Sequence, residues 1–114
     1  MPECLQQFDS QLALERAGGN RELAAELFTM LCQELPTRRS AISAALDSED
    51  METLHHHAHK LHGSTLYCGV PALQEAVTEL STSLKRGWTE AVGEQVHAVL
   101  AAIDEVLKNP DSRV

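Results

Sequence analysis

Aromatic residues are nearly missing from this chain: one Trp, one Tyr and two Phe among 114 residues. A core built from Leu, Ala and Val with so few rings favours helices over a sandwich or a barrel. Basic residues are also scarce, nine against 17 acidic ones, for a formal charge of −8. That balance opposes binding to a phosphate backbone, so nucleic acid is excluded as a partner class. The three cysteines, Cys4, Cys32 and Cys68, are odd in number and lack paired spacing. They read as reduced thiols in a cytoplasmic setting, not as a disulfide framework. No apolar run approaches the roughly 18 residues of a membrane span, and no basic start leads into an apolar stretch. The module is therefore expected to be cytoplasmic with no membrane contact of its own, which leaves room for a longer parent anchored in the inner membrane. No Gly-rich phosphate loop or Walker sequence occurs, so no nucleotide site or autonomous kinase activity is expected. Strand patterns, repeats and low-complexity segments are missing as well.

What is present is helical punctuation. The length suffices for one domain. Residues 1–8 read as an N-terminal arm, 9–108 as a helical bundle and 109–114 as a frayed tail. A short first stretch runs from about Asp9 to Ala17, capped by Asp9 or Ser10, and Gly18-Gly19-Asn20 breaks it. A second, from about Arg21 to Leu46, carries Leu23, Leu27, Met30 or Leu31, Leu35, Ile42 and Leu46 at helical spacing, with a kink or break expected at Pro36. Asp47-Ser48-Glu49-Asp50 caps a third stretch, from about Met51 to Tyr67. Gly69 closes it, and Pro71 opens a fourth that reaches about Arg86. After Gly87 a fifth runs from about Trp88 to Lys108. Long helices with short connections imply an all-α, up-down antiparallel four-helix bundle with an additional short N-terminal helix. A monomer is expected.

Five of the six histidines cluster in His55-His56-His57-Ala58-His59-Lys60-Leu61-His62. On a helical wheel, Met51, Leu54, Ala58, Leu61 and Thr65 fall within an arc of roughly 80°, the core stripe. His59 then lies about 120° from its centre, His56 and Gly63 near the opposite side, and His55 and His62 on the border. Glycine inside a helix costs about 1 kcal/mol relative to alanine. At position 63 it opens space beside the His59 ring for an incoming protein or a phosphoryl group, unless it is merely tolerated, as Gly93 is in the last helix.

The run Ala58-His59-Lys60-Leu61-His62-Gly63-Ser64, followed by Gly69-Val70, Leu73 and Leu80, resembles the histidine phosphotransfer (HPt) family. That family's motif runs alanine, histidine, any residue, leucine, lysine, glycine, serine, with a glycine-small turn soon after. Upstream, Leu14-Glu15-Arg16-Ala17-Gly18-Gly19-Asn20 and Leu23 to Leu27 are similar to the way many such domains begin. The variant His-Lys-Leu-His-Gly-Ser looks like the C-terminal domain of hybrid sensor kinases of the GacS/BarA type. With the Met1-Pro2 start, this gives the expectation of an excised kinase terminus in place of a free carrier.

The resemblance implies a phosphoryl carrier on His59, between receiver domains of a hybrid kinase and of a response regulator. It implies no cofactor on this chain, with the acidic pocket and Mg2+ belonging to the receiver. An exposed imidazole titrates near 6.5 and is largely nucleophilic at neutral pH. Transfer is then mostly positioning and charge neutralisation. His62 stands where the family usually has lysine, and as a partly cationic ring it can donate to a phosphoryl oxygen. His56 is as exposed as His59, so motif register makes the choice between them. Counting back from the Cys68-Gly69 turn sets Thr78, Ser81, Thr82 and Lys85 roughly level with His59. Ser81 is a candidate to fix the ring tautomer and Lys85 to meet the phosphate. His56, Lys60 and Leu66 are candidates for partner docking.

Two other classes compete. Glu52-x-x-His55 and Glu94-x-x-His97 have the spacing of di-iron bundles. Glu52, however, sits about 140° from its core stripe, and Glu94 lies opposite the stripe of Val92, Val96, Val99 and Ile103. A surface zinc or nickel site on His55, His59 and His62 is physically easier but lacks an evident fourth ligand and second shell. A non-catalytic interaction bundle is the third reading. Among other residues, Trp88 and Phe28 read as packing and Cys68 as a small apolar filler. Arg38-Arg39 reads as a solvated face, or alternatively as a contact for an acidic receiver surface.

Overall fold

The computed structural model describes residues 9–87 and 90–108. Five helices follow one another: α1 (Ser10–Arg16), α2 (Arg21–Asp47), α3 (Met51–Thr65), α4 (Pro71–Arg86) and α5 (Glu90–Lys108). No strand occurs among the described residues. Three of the starts are fixed by side chains that satisfy otherwise orphaned amides. Asp9 accepts from the Leu12 amide, Asn20 from that of Leu23 and Asp50 from that of Thr53. Bonds from the Thr53 hydroxyl and amide hold the Asp50 carboxyl below the usual carboxylate range. Gly18 and Gly19 turn the chain with φ of 70° and 84°. Pro71 occupies the first turn of α4, where its missing N–H costs nothing.

α2, α3, α4 and α5 form the up-down antiparallel bundle. Each packs on its successor, and α5 closes the ring against α2. α1 lies against α2, with Ala13, Ala17 and Ala24 buried between them. The core runs along one stripe per helix: Phe28, Leu31, Leu35 and Ile42 from α2; Leu54, Ala58 and Leu61 from α3; Leu73, Val77 and Leu80 from α4; Val92, Val96, Val99 and Ile103 from α5. Phe28 is thus packing, as its sequence context suggests. No described helix is long and apolar enough to cross a membrane.

Several expectations are corrected. α2 does not break at Pro36, which sits exposed on an unbroken helix. Core residues on both sides of it hold the helix together against a local cost of about 3 kcal/mol. The alternative left open between Met30 and Leu31 is resolved, not corrected: Leu31 enters the core and Met30 is 61% exposed. Leu23 and Met51, each 39% exposed, lie outside it, because both sit in first turns where the stripe runs past the bundle's end. α3 stops at Thr65, two residues short of Tyr67. Gly69 is required by contact, not by a left-handed helix end. A Cβ there would stand 2.1 Å from the Asp9 carbonyl oxygen and 2.7 Å from the Ala13 nitrogen. The Asp9 amide donates to the Gly69 carbonyl at 2.7 Å, which docks α1 on the turn after α3. The expected arm, tail and Trp88 packing lie outside the described residues.

Candidate functional site

The histidine cluster occupies the middle of α3, whose four buried residues, Leu54, Ala58, Leu61 and Thr65, face the core. His59 and His56 are exposed, while His55, His57 and His62 are half-buried. His59 makes no hydrogen bond or ion pair among the described residues. One turn along, a Cβ added at Gly63 would meet nothing within 4 Å. Packing within the chain therefore does not demand glycine there, and the surface beside the imidazole is open. Gly63 and Lys60 also border a groove of about 380 Å³ between α2 and α3, with Leu27, Met30 and Tyr67 among its apolar walls.

The flank of α3 that faces α2 is tied down. Arg38 Nη1 lies 2.8 Å from His57 Nδ1. A guanidinium only donates, so Nδ1 accepts, the ring is neutral and its proton sits on Nε2. Burial, then Arg38 and His56, push the His57 pKa below its ordinary value. The same Arg38 donates to Glu34 Oε2 from Nε at 3.1 Å and from Nη2 at 2.7 Å. Glu34 Oε1 in turn accepts from Ser64 Oγ at 2.9 Å. Arg39 forms a two-bond pair with Asp104 of α5, at 2.7 and 2.9 Å, and holds that carboxyl below the usual range. The expected solvated face at Arg38-Arg39 is therefore corrected: both reach across to neighbouring helices. A wheel places such residues at the border but cannot show what stands across it.

On α4, the Ser81 hydroxyl is buried and has no hydrogen-bond partner, so the expected bond to the His59 ring is not made. Thr78 and Thr82 donate back to their own helix, to the carbonyls of Gln74 and Thr78. Lys85 is exposed and has no ion pair among the described residues. Of the docking candidates, His56 and Lys60 are exposed and Leu66 is 36% exposed, its carbonyl accepting a bond from Arg16. Among the described residues no three His, Cys, Asp or Glu side chains are placed to hold a metal ion. Glu52 and Glu94 are exposed, as the wheel requires, and so is His97. Cys68 is buried, its Sγ donating to the Leu27 carbonyl, and burial pushes its thiol up to about 11. Sequence reasoning missed Glu34, His57 and Ser64. The four-residue spacing of Glu34 and Arg38 was the one available signal.

Residues 26–109 match the family described as the Hpt domain. The chain is 38% identical over 102 residues to the sensor histidine kinase GacS of Pseudomonas protegens, which covers 90% of this chain and 10% of that protein. To the signal transduction histidine-protein kinase BarA of Escherichia coli K12 it is 38% identical over 82 residues, 72% of this chain and 9% of that one. It thus spans about a tenth of the length of these relatives. Among solved structures, the HPT domain of a sensor hybrid histidine kinase from Shewanella superposes with a TM-score of 0.88 at 31% identity, covering 94% of this chain and 92% of that one. The histidine-containing phosphotransfer protein HptB of Pseudomonas aeruginosa shares the fold, with a TM-score of 0.77 at 19% identity over 94% and 93%.

Proposed function

Because the chain belongs to the Hpt domain family, we propose that it is a phosphoryl carrier in a His–Asp phosphorelay, with His59 as the residue that holds the group. The observation that carries this reading is an exposed, unpartnered His59 one helical turn from a glycine whose missing side chain faces open space. A neutral imidazole nitrogen attacks the phosphorus of an aspartyl phosphate. The N–P bond forms as the acyl O–P bond breaks, and the receiver's carboxylate leaves. The reverse exchange passes the group to a response-regulator aspartate.

This chain contributes a rigid helix, an accessible nucleophile and room for the partner. The half-buried His62, one turn from His59, supplies a hydrogen bond to a phosphoryl oxygen in place of the family's lysine. Lys85 adds positive charge from α4. His56, Lys60 and Leu66 meet the receiver surface, and the magnesium-binding acidic pocket belongs to that receiver. The module works as a monomer on the cytoplasmic side, with receiver domains of a hybrid kinase and of a response regulator as its partners.

Incubation with a radiolabelled phospho-receiver tests this. His59→Gln is expected to take up no acid-labile label while its helicity and Tm stay at wild-type values. Label retained on another histidine, His56 above all, refutes the assignment. The same assay on His62→Ala reads its share: slower transfer with label still on His59 is expected, and an unchanged rate removes His62 from the mechanism.

A further inference from the structure

We propose that Glu34, Arg38, His57 and Ser64 form a two-point clamp that fixes the roll of α3 and so aims His59 at the incoming phosphorus; this rests on the carrier reading above. His57 and Ser64 are seven residues apart, two turns along one flank of α3, and they bracket His59 and Gly63. Glu34 and Arg38 are one turn apart on α2. The bonds run without interruption from Ser64 Oγ to Glu34 Oε1, from Glu34 Oε2 to Arg38, and from Arg38 Nη1 to His57 Nδ1. The path therefore crosses the α2–α3 interface on both sides of the carrier. Its ends, Ser64 and His57, are half-buried, and its middle links, the Arg38 and Glu34 side chains, are 20% and 25% exposed, so solvent competes less than at an open surface pair.

The rest of the helix does not supply this constraint. Its apolar stripe is held by burial, which is non-directional and sets which face turns inward without singling out one roll angle. Hydrogen bonds weaken steeply off their axis and do single one out. On the α4 side, Ser81 is unpartnered and Thr78 and Thr82 bond within their own helix. Gly63 softens the segment between the two anchor points. A ring nitrogen lies about 6 Å from the helix axis, so a roll of about 15° carries it roughly 1.6 Å. A displacement near 1 Å can cost about a hundredfold in rate. A constraint on roll thus acts on transfer far more than on stability. Glu34, Arg38, His57 and Ser64 are positioning residues: they act through His59 and touch no reacting atom.

Rapid-quench transfer from a phosphorylated receiver domain to the full chain tests the clamp. His57→Leu and Arg38→Met are expected to lower the rate at saturating receiver about tenfold, with the half-saturating concentration changed less than about twofold. His57→Asn, whose amide oxygen stands where Nδ1 does and still accepts from Arg38, is expected to recover to within about twofold of wild type. Circular dichroism checks folding. Should the larger changes unfold the chain, Ser64→Ala deletes a single hydroxyl, and a rate about threefold down is expected. A wild-type rate in the folded unclamped variants overturns the clamp, as does a loss confined to the half-saturating concentration or a His57→Asn as slow as His57→Leu. Label located on His59 of the wild type separates these outcomes from failure of the carrier reading; a wild-type chain that takes no label there overturns both.

Discussion

Replacing Gly63 by alanine should make the protein more stable and a poorer carrier. A mid-helix glycine costs about 1 kcal/mol relative to alanine. The added methyl would meet nothing within 4 Å in the free chain, so no clash offsets that gain. For a domain of this size, 1 kcal/mol is worth about 4 °C in Tm. On the proposed function, however, the methyl would protrude where the receiver approaches His59, and a shift of the reacting atoms by about 1 Å lowers the transfer rate by tenfold or more. Gly93 in α5 is the internal control. A Cβ there also meets nothing within 4 Å, yet it lies on a helix that does not carry the cluster. Gly93→Ala should raise Tm by a similar amount and leave transfer at the wild-type rate. Calorimetry and rapid-quench transfer on the three proteins decide the matter. A Gly63→Ala variant that transfers normally would show that the glycine is merely tolerated, and a lowered Tm would refute the free-space argument.

Gly69→Ala should do the opposite, because its Cβ would collide with backbone at 2.1 and 2.7 Å and with the Ala13 Cβ at 2.9 Å, none of it the end of a flexible side chain. A loss of about 2–3 kcal/mol is expected in urea unfolding, and an unchanged midpoint would sink the idea that α1 docks through this contact. Acid should loosen the α2–α3 interface through His57, which lies 2.8 Å from Arg38 of α2 and meets the His56 ring edge-on on its own helix. Its folded pKa lies below 6.5, so the unfolded chain binds the proton more readily. The stabilisation is complete above 6.5 and is lost as pH falls through the lower folded value. Stability measured from pH 7.5 downward should fall less in His57→Gln than in wild type, and parallel curves would refute the assignment.

The helical architecture was legible because its signals are local. Caps at Asp9, Asn20 and Asp50, the Gly18-Gly19 turn and Pro71 each act on neighbours a few residues away, and periodicity selected most of the core. The misreadings share one cause. Whether Pro36 breaks α2 depends on how much core packing lies on both sides of it. Whether Leu23 and Met51 are covered depends on where the other helices end. The reason for Gly69 lies in Asp9 and Ala13, far away along the chain. None of these follows from spacing alone.

The same limit, sharper, governs the site. The wheel measures an angle from the core, and it separated the outward His59 and His56 from the half-buried His55 and His62. An angle of that kind has no left or right. His57 and His62 lie at mirror positions, each about 70° from the centre of the core stripe. A bundle that turned the other way would satisfy the hydrophobic pattern equally well. The packing order sets α2 against the His57 flank, where Arg38 fixes the ring as a neutral acceptor, and leaves His62 on the opposite flank. Two histidines that the pattern cannot tell apart thus acquire different surroundings: one accepts from Arg38, and the other makes no side-chain hydrogen bond among the described residues. The proposed division between clamp and phosphoryl neighbour would then follow from the bundle's handedness, which the short connections and the whole core decide together. For that reason a lysine-to-histidine change in the motif, read alone, says less about this site than the flank on which the histidine falls.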